Sequence, residues 1–471
     1  MTAVNTTYYT YTNSTMTDIS HTAVFSCNDT AGNRNSTNTT FSSDLTTITN
    51  CRTLNQTNSV YTLNQSITTI GTCLNITASN ITLDGNGYTI DGDDSGTDYG
   101  IYTSGRNNIT IKNFANITDF ASGVYLTSTN NSFVQNLTAN SNTDYGIFLS
   151  SSSNNNLTQI TANSNYDGFY LSSSSKNNQF NNFTITNSTS NGVYMGAGSQ
   201  RNTFSSGFIN NSQGYGIRID DEGVIENNHN LFKDTTISNS ITKDVFINVV
   251  GFGAPGLSNN NTFLNVSYNL SKESVTGTSA ELIRKWYYTV YVNDTSGNNV
   301  SNANITAYNS TGNYQFNLTT DTNGLTTSRA EIIDYINNAG TKSYYPNYNI
   351  YATNSSYPSL NQTWNVTLKN NTRQNFQLVP FLTNCGELNQ PNMIYTLQNP
   401  VTTTGTCFNI TAENVTLDCG SWSNRIVYGD VSSLIEYYGV YSNKLNTTIR
   451  NCEITRGSLA TIYQERYGVY F

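Results

Sequence analysis

The chain has 471 residues and a net charge of −9, with 36% hydrophobic and only 11% charged residues, against about 25% charged in an ordinary globular protein. That length leaves room for about two to four domains, and the acidic balance without any Lys or Arg run excludes nucleic acid and anionic membrane as partners. No stretch approaches the roughly 18 consecutive apolar residues of a membrane span. Met1 to Ser26 has neither a basic start nor an apolar core, so no signal peptide is expected there: either a mature chain is given or a piece of a longer one.

In chain order, residues 1–50 are rich in Thr and Asn with isolated Tyr, Val and Phe, and are expected to be a cap, a tail or a donor strand. Cys51 to Asp84 then introduces an opening that is written twice. Cys51, Tyr61, Gly71, Cys73 and Asp84 match Cys385, Tyr395, Gly405, Cys407 and Asp418, each 334 residues on. A gap-free match of that kind means one structural unit begins twice, and such arrays are more often scaffolds than compact enzymes. Cys51 with Cys73, and Cys385 with Cys407, enclose the same loop, and a bridge of that size would stabilise by roughly 3 kcal/mol in the chain-entropy model. In the second copy Cys419 replaces Gly85 and Cys452 replaces Phe114, and this joint appearance suggests a third bridge, Cys419 to Cys452. Cys27 is left odd, either free or paired between chains.

From Tyr99 a ladder begins. Y-G-I-Y-T, S-G-V-Y-L, Y-G-I-F-L, D-G-F-Y-L, N-G-V-Y-M and Y-G-I-R-I start at Tyr99, Ser122, Tyr145, Asp167, Asn191 and Tyr215, at intervals of 23, 23, 22, 24 and 24 residues. Each motif is followed by Asn-bearing turns (Asn107 and Asn108, Asn130 and Asn131, Asn154 and Asn155, Asn177 and Asn178, Asn202) and then by an alternating strand such as N-L-T-Q-I-T. Alternation places Ile, Leu, Val and Phe inward and Thr, Asn, Ser and Lys outward. The β-branched and Asn content, without a 3.6-residue stripe, excludes helices. Three short strands joined by three turns would fill one period, as in a coil of a parallel β-helix. The recurrent Gly would then permit a bend with positive φ. The recurrent Asn either ladders its amides from coil to coil or serves turn propensity; neither makes it catalytic.

The repeat G-I/V-Y-L-S-S-S-x-N-N-x-F/L followed by N-x-T/I resembles the right-handed parallel β-helix repeats of secreted and archaeal surface proteins and of a periplasmic copper-processing family. The two openings are similar to the start of such helices in archaeal surface proteins. The resemblance covers about residues 51–275 and 385–471 and implies a fold far more than a function, because it spans lyases, glycosidases, adhesins and spikes.

Lys285 to Pro380 loses the period and reads as six or seven short strands joined by Gly, Asn and Asp turns. It resembles an Ig-like or carboxypeptidase-regulatory β-sandwich, whose signature falls on Asp294, Gly297, Val300, Asn302, Ala303 and Ile305. Asp321 there is either a turn residue or, less simply, a cation contact. The expected organisation is all-β: the segment 1–50, a right-handed parallel β-helix over 51–283, a β-sandwich domain over 284–381, and the start of a second β-helix over 382–471. Tyr467 to Phe471 reads as the first strand of a further coil, an open edge that either continues or takes a neighbouring subunit.

Glycoside hydrolysis needs two carboxylates, one with a raised pKa. Asp144 and Asp167 are expected to stack in adjacent coils. Asp91, Asp93, Asp94, Asp220, Asp221 and Glu222 are weak calcium candidates, the last three beside Arg218 in the nearest approach to a lyase constellation. The polygalacturonase G-H-G and R-x-K are missing, and His21 and His229 sit in no Ser- or Cys-bearing motif. Four Met, two His and cysteines in bridges supply no copper or zinc cluster. N-x-S/T acceptors occur about thirty times, among them Asn75, Asn80, Asn108, Asn136, Asn182, Asn304, Asn365, Asn409 and Asn446. The expectation is therefore an extracellular, N-glycosylated structural protein of a cell envelope, self-associating, with no catalytic residues and no cofactor beyond structural calcium. The alternative is a carbohydrate-binding or polysaccharide-degrading protein in which Tyr102, Tyr125, Tyr170 and Tyr194 stack on sugar rings; their alternation with Gly and aliphatics equally fits packing at the helix wall.

Overall fold

The computed structural model describes residues 2–3, 9–10, 20–28, 31–42, 46–196, 198–221, 227–249, 259–277, 280–295, 297–345, 348–355, 357–360, 369–378, 381–420, 424–429, 436–457 and 468–471. Among them regular structure is β apart from one 3-10 turn, Leu270–Lys272. The chain divides into two compact units, Met1–Lys285 with Tyr335–Ser343, and Trp286–Asp334 with Tyr344–Phe471.

The first unit is a parallel β-helix. A ten-stranded parallel sheet runs from Arg52–Leu54 through Leu74–Ile76, Tyr99–Ser104, Ser122–Thr127, Tyr145–Ser150, Asp167–Ser172, Val193–Met195, Tyr215–Asp221 and Lys243–Val249 to Glu273–Thr276. Its inward column, Ile101, Val124, Ile147, Phe169, Val193, Ile217 and Val245, is in strict register and fully buried. Ahead of the helix, Ser20–Asn28 and Arg34–Ser42 form an antiparallel hairpin; the side chain of Cys27 lies outside the described residues. The first coil begins at Thr47–Ile48, which pairs with Thr62 and Leu63.

The expected three strands per coil hold only at the start, where Leu74–Ile76, Thr82–Asp84 and Thr89–Asp91 are separate. From Thr110–Thr118 onward the second and third fuse into one strand of eight or nine residues in the next coils, as in Phe133–Asn140, Asn156–Asn163 and Gln179–Thr186. One left-handed residue interrupts each fused strand: Asn113, Asn136, Gln159, Asn182, Ser206, Asp234 and Asn265, with φ between 50° and 60°. A single residue of that kind acts as a bulge, re-aiming the second half of the strand without breaking the ladder.

The repeated glycines need no positive φ, contrary to the sequence expectation. They are required by close approach instead. A Cβ on Gly146 would lie 2.8 Å from the Ala162 Cβ, from the Asn165 amide nitrogen and from the carbonyl oxygen of Gly168 in the next coil.

Both readings of the recurrent asparagines hold, at successive positions: the two roles fall on the two members of Asn154–Asn155 and Asn177–Asn178, while Asn108 and Asn131 take the turn position without a following Asn. Asn131, Asn154 and Asn177 take φ of 53° to 59°, the left-handed turn position that Asn tolerates. The following position, Asn155, Asn178, Asn202, Asn230 and Asn261, is buried and forms a ladder. In it each Nδ2 donates to the next Oδ1 at 3.1 to 3.3 Å. Each Oδ1 also accepts a backbone N–H from the preceding coil, as Asn178 does from Asn155 at 3.0 Å.

Inside, Phe180, Phe204, Phe232 and Phe263 stack with centroids 4.5 to 4.9 Å apart. Arg284 follows Phe263 in that column, its guanidinium over Tyr268 at 4.9 Å. The buried Glu273 carboxylate closes the same end: Tyr268 and Tyr335 donate their hydroxyls to it, Asn337 donates at 2.7 Å and Lys342 lies 3.0 Å away. Burial alone would raise its pKa, but these donors outweigh it and hold it below the usual carboxylate range.

In the second unit Asn304–Asn309, Tyr314–Thr319, Tyr348–Asn354 and Tyr357–Leu360 form an antiparallel sheet. Tyr288 to Asp294 pairs in parallel with Thr372–Leu378. Asp294 caps a turn by accepting from the Asn298 N–H at 2.8 Å, and Asp321 accepts from Asn323 and Leu325 at 2.8 and 3.0 Å, as a turn aspartate does. Gly386–Leu388, Ile394–Thr396 and Val401–Thr402 then start three parallel sheets, so the coils here keep three strands. Val469–Tyr470 pairs with Val440 and Tyr441; Tyr467 lies outside the described residues.

Three disulfides are present: Cys51 to Cys73, Cys385 to Cys407 and Cys419 to Cys452, with Cα separations of 4.3, 4.6 and 4.9 Å. The third has a packing explanation. A Cβ on Gly85 would sit 2.6 Å from the Phe114 ring, so in the first copy a large ring demands a glycine, while in the second the two cysteines share that space as a bridge. In both openings a buried tyrosine hydroxyl accepts a backbone N–H at 3.1 Å: Tyr61 from Gln56, and Tyr395 from Gln390.

Candidate functional site: a polar groove across the coils

Two faces of the β-helix carry side chains that could meet a ligand. On the ten-stranded sheet, Tyr102, Tyr125, Phe148, Tyr170, Tyr194, Arg218 and Phe246 form one outward column. Its rings stack on one another: Tyr125 on Phe148 at 4.4 Å, Phe148 on Tyr170 at 4.9 Å and Tyr170 on Tyr194 at 4.8 Å, all within 17° of parallel. The Arg218 guanidinium covers the far side of Tyr194 at 4.6 Å. From Phe148 to Tyr194 both faces of every ring are taken, so these tyrosines do not offer the flat surfaces on which sugars would stack. The column stiffens the wall; offset ring pairs contribute about 0.5–1.5 kcal/mol each beyond buried area.

Arg218 is itself paired with Asp220, its Nε 3.1 Å from Oδ2, and Asn248 donates to Oδ1 at 3.1 Å. Asp220 is thus satisfied by side chains. The side chain of Asp221 and the whole of Glu222 lie outside the described residues. Asp93 and Asp94 are exposed, with Asp93 capping the N–H of Ser95 at 3.2 Å. Among the described residues no group of three or more His, Cys, Asp and Glu could hold a metal ion.

Asp144 and Asp167 do not stack. The intervening coil has 22 residues, which puts Asp167 in register with Tyr145. Asp167 is buried, and burial pushes its carboxyl up to about 6, against the two bonds its Oδ1 accepts from Asn191 at 2.8 and 2.7 Å. A second carboxylate pairing escapes sequence reading. Asp91 is in register with Thr118, which brings Asp119 beside it. The Asp119 carboxyl is raised by partial burial first, then by the hydrogen bond and repulsion of Asp91, with Thr118 opposing. Two carboxyls in direct hydrogen bond share one proton, at a closer spacing than the roughly 5–9.5 Å used by glycoside hydrolases. The 28-residue separation carries no motif that would announce it.

The larger feature lies where the fused strands bend. A groove of about 480 Å³ crosses the coils, lined by Asn86, Asn113, Asn136 and Gln159, by the Thr138 and Thr161 hydroxyls, and by Phe114, Ala115 and Leu137. That volume falls within the range of small-ligand sites, about 300–1,000 Å³. Phe114 and Leu137 are almost fully buried and form an apolar floor; the amides rise around it on the left-handed corner residues. Asn136 Nδ2 donates to Asn113 Oδ1 at 2.9 Å, and Asn113 Nδ2 donates to Asp84 at 3.1 Å, which fixes both amides. The Gln159 amide and the hydroxyls of Thr138 and Thr161 have no partner among the described residues, and so are available to a ligand. No ionisable side chain lines the groove. The nearest pair, Asp84 and Lys112 at 3.2 Å, neutralises itself; the Asp84 carboxyl, despite partial burial, is held below its usual range by its donors Asn86, Asn113 and Lys112.

The acceptor motifs have a geometric origin. A left-handed Asn, then an inward apolar residue, then an outward Thr or Ser, is the local chain pattern at Asn80, Asn108, Asn136, Asn182, Asn265 and Asn414. Part of their number therefore reflects the coil. Asn80, Asn108, Asn136, Asn182, Asn409 and Asn446 are exposed or nearly so, Asn75 and Asn304 are half-buried within sheets, and Asn365 lies outside the described residues.

The fold defines a β-helix repeat protein. Residues 39–209 match the family model described as a right handed beta helix region. No curated protein sequence matches the chain. Among solved structures it is similar to an alginate lyase from Paenibacillus sp. str. FPU-7 (17% identity, covering 45% of this chain and 80% of that one, TM-score 0.36). It is also similar to the pectate lyase Pel9A (14%, 48% and 70%, 0.30) and to endopolygalacturonase I from Stereum purpureum (13%, 88% and 92%, 0.28). These likenesses are of fold. The sequence expectation that the chain is not an enzyme is not upheld: the structures it is similar to are named as polysaccharide lyases and glycoside hydrolases.

Proposed function

We propose that the chain is an extracellular β-helix protein that binds a neutral polysaccharide in the groove lined by Asn113, Asn136 and Gln159. The observation that carries this reading is the groove's composition: fixed amides and unpartnered hydroxyls around an apolar floor, with no charge. Sugars present hydroxyls on their rims and C–H surfaces on their faces, and that lining complements both. An acidic polysaccharide would require Lys or Arg, which the groove does not supply. Three disulfides support an oxidising compartment, and the resemblance to archaeal-type surface proteins, with the antiparallel region as an Ig-like spacer, fits a place at a cell surface. The test is binding of soluble neutral oligosaccharides by calorimetry to the full chain and to Gln159→Ala with Thr161→Val. Loss of binding in the double variant supports the groove; unchanged affinity sinks it.

A second reading is favoured by one observation. The Asp91 and Asp119 carboxyls hydrogen-bond to each other, so the protein would cleave a polysaccharide at this pair, the two sharing one proton. Under that reading Asp119→Asn abolishes release of reducing ends while binding persists; undiminished release removes the assignment.

A further inference from the structure

The groove contains its own acceptor for a sugar. Asn136, Leu137 and Thr138 form an N-x-T motif, and all three line it. Leu137 is buried, which leaves Asn136 and Thr138 both turned to the groove. Asn136 is exposed, stands at the left-handed corner with φ of 50°, and uses one Nδ2 proton on Asn113 Oδ1 at 2.9 Å. The other proton has no protein partner among the described residues, so a substituent there would start inside the groove while the Asn113 bond survives. Asn80, Asn108 and Asn409 are also exposed acceptors, but none lines the groove.

We infer that Asn136 is a glycosylation site whose own N-linked glycan occupies the groove, so that modification decides whether a free polysaccharide can enter. This rests on the reading of the groove as a sugar site. In the modifying step the Asn136 amide nitrogen attacks the anomeric carbon of a polyprenyl-pyrophosphate-linked oligosaccharide. The N–C bond forms, the C–O bond to pyrophosphate breaks, the lipid pyrophosphate leaves with the electron pair, and one amide proton goes to a base of the transferase.

The experiment compares the full chain secreted from an N-glycosylating host, the same chain from bacterial periplasm without glycans, and Asn80→Gln with Asn409→Gln, two acceptors outside the groove, from the glycosylating host. Disulfide mapping and circular dichroism check the fold of each. Glycopeptide mass spectrometry is expected to find Asn136 occupied, and calorimetry with soluble neutral oligosaccharides to find binding in the unglycosylated chain. The glycosylated chain and the Asn80 and Asn409 double variant should both bind about tenfold or more weakly. An unmodified Asn136, equal binding by glycosylated and unglycosylated chains, or binding restored in the double variant overturns the inference and leaves the groove reading intact. No binding by any of the three removes the groove reading and this inference with it.

Discussion

The asparagine ladder can be broken at one rung. Asn178→Ala removes a side chain whose Oδ1 accepts the Asn155 N–H at 3.0 Å and the Asn155 Nδ2 at 3.1 Å, and whose Nδ2 donates to the Ser152 carbonyl at 2.8 Å and to Asn202 Oδ1 at 3.1 Å, the last of which keeps the Asn178 N–H. All of this lies in the core, so no water replaces the lost partners and three polar groups are stranded. At about 1–3 kcal/mol for each buried unsatisfied group, and allowing for partial relaxation, the cost is about 3–6 kcal/mol. The neighbouring Asn177 has φ of 56°, and its N–H bonds to Gln200 through the backbone alone. Asn177→Gly therefore keeps the turn and should change stability by only a few tenths of a kcal/mol. A repeat array does not unfold as one cooperative block, so a single melting temperature is a poor measure. Native-state hydrogen exchange at the Asn155 amide reads the rung directly. Asn178→Ala should cost it about two to four decades of protection, and Asn177→Gly almost none. Equal losses in the two variants would refute the ladder and return these asparagines to turn propensity.

Other outcomes follow from single sites. Asp167 titrates near 6 when folded against an ordinary 3.8, so its stabilising contribution is complete below about pH 4 and is lost as pH rises through 6. Asp167→Asn, whose amide oxygen still accepts from Asn191, should raise stability at pH 7.5 by up to about 3 kcal/mol and leave pH 4 unchanged in chemical denaturation. Gly146→Ala would stabilise by about 0.4–1 kcal/mol if only backbone freedom mattered; contact at 2.8 Å with three neighbours predicts destabilisation by about 1–3 kcal/mol, and the sign decides. Replacing Cys51 and Cys73 together by Ser, which opens a loop spanning 22 residues, should cost about 3 kcal/mol by denaturant titration, and the Cys419 and Cys452 pair slightly more.

Much of the β-helix was legible because one coil must look like the next. The 23-residue spacing of the Gly motif, the inward apolar positions and the exchange of Gly85 and Phe114 for Cys419 and Cys452 are all consequences of stacking, and stacking leaves its mark in sequence. What stayed hidden depends on angles that alternation does not encode. The spacing of Tyr102, Tyr125, Tyr170 and Tyr194 fits sugar stacking and wall packing alike, and nothing in it says that Tyr125, Phe148, Tyr170 and Tyr194 lie face to face along the wall. Asp144 and Asp167 were matched by counting 23 in a coil of 22, and one residue in a strand reverses the face.

The groove was hidden for a deeper reason. Its walls are Asn, Gln and Thr, the commonest outward residues of the whole helix, and what distinguishes Asn113, Asn136 and Gln159 is their left-handed backbone in mid-strand. That corner makes the concavity and presents the amides to it; it also writes Asn, apolar, Thr along the chain. The same short pattern thus serves as bend, as groove lining and as glycan acceptor, so the density of acceptor motifs cannot by itself distinguish a heavily glycosylated coat from a sugar-binding surface. Occupancy at Asn136 can, because there alone among the exposed acceptors Asn80, Asn108, Asn136, Asn182, Asn409 and Asn446 the two roles compete for one space.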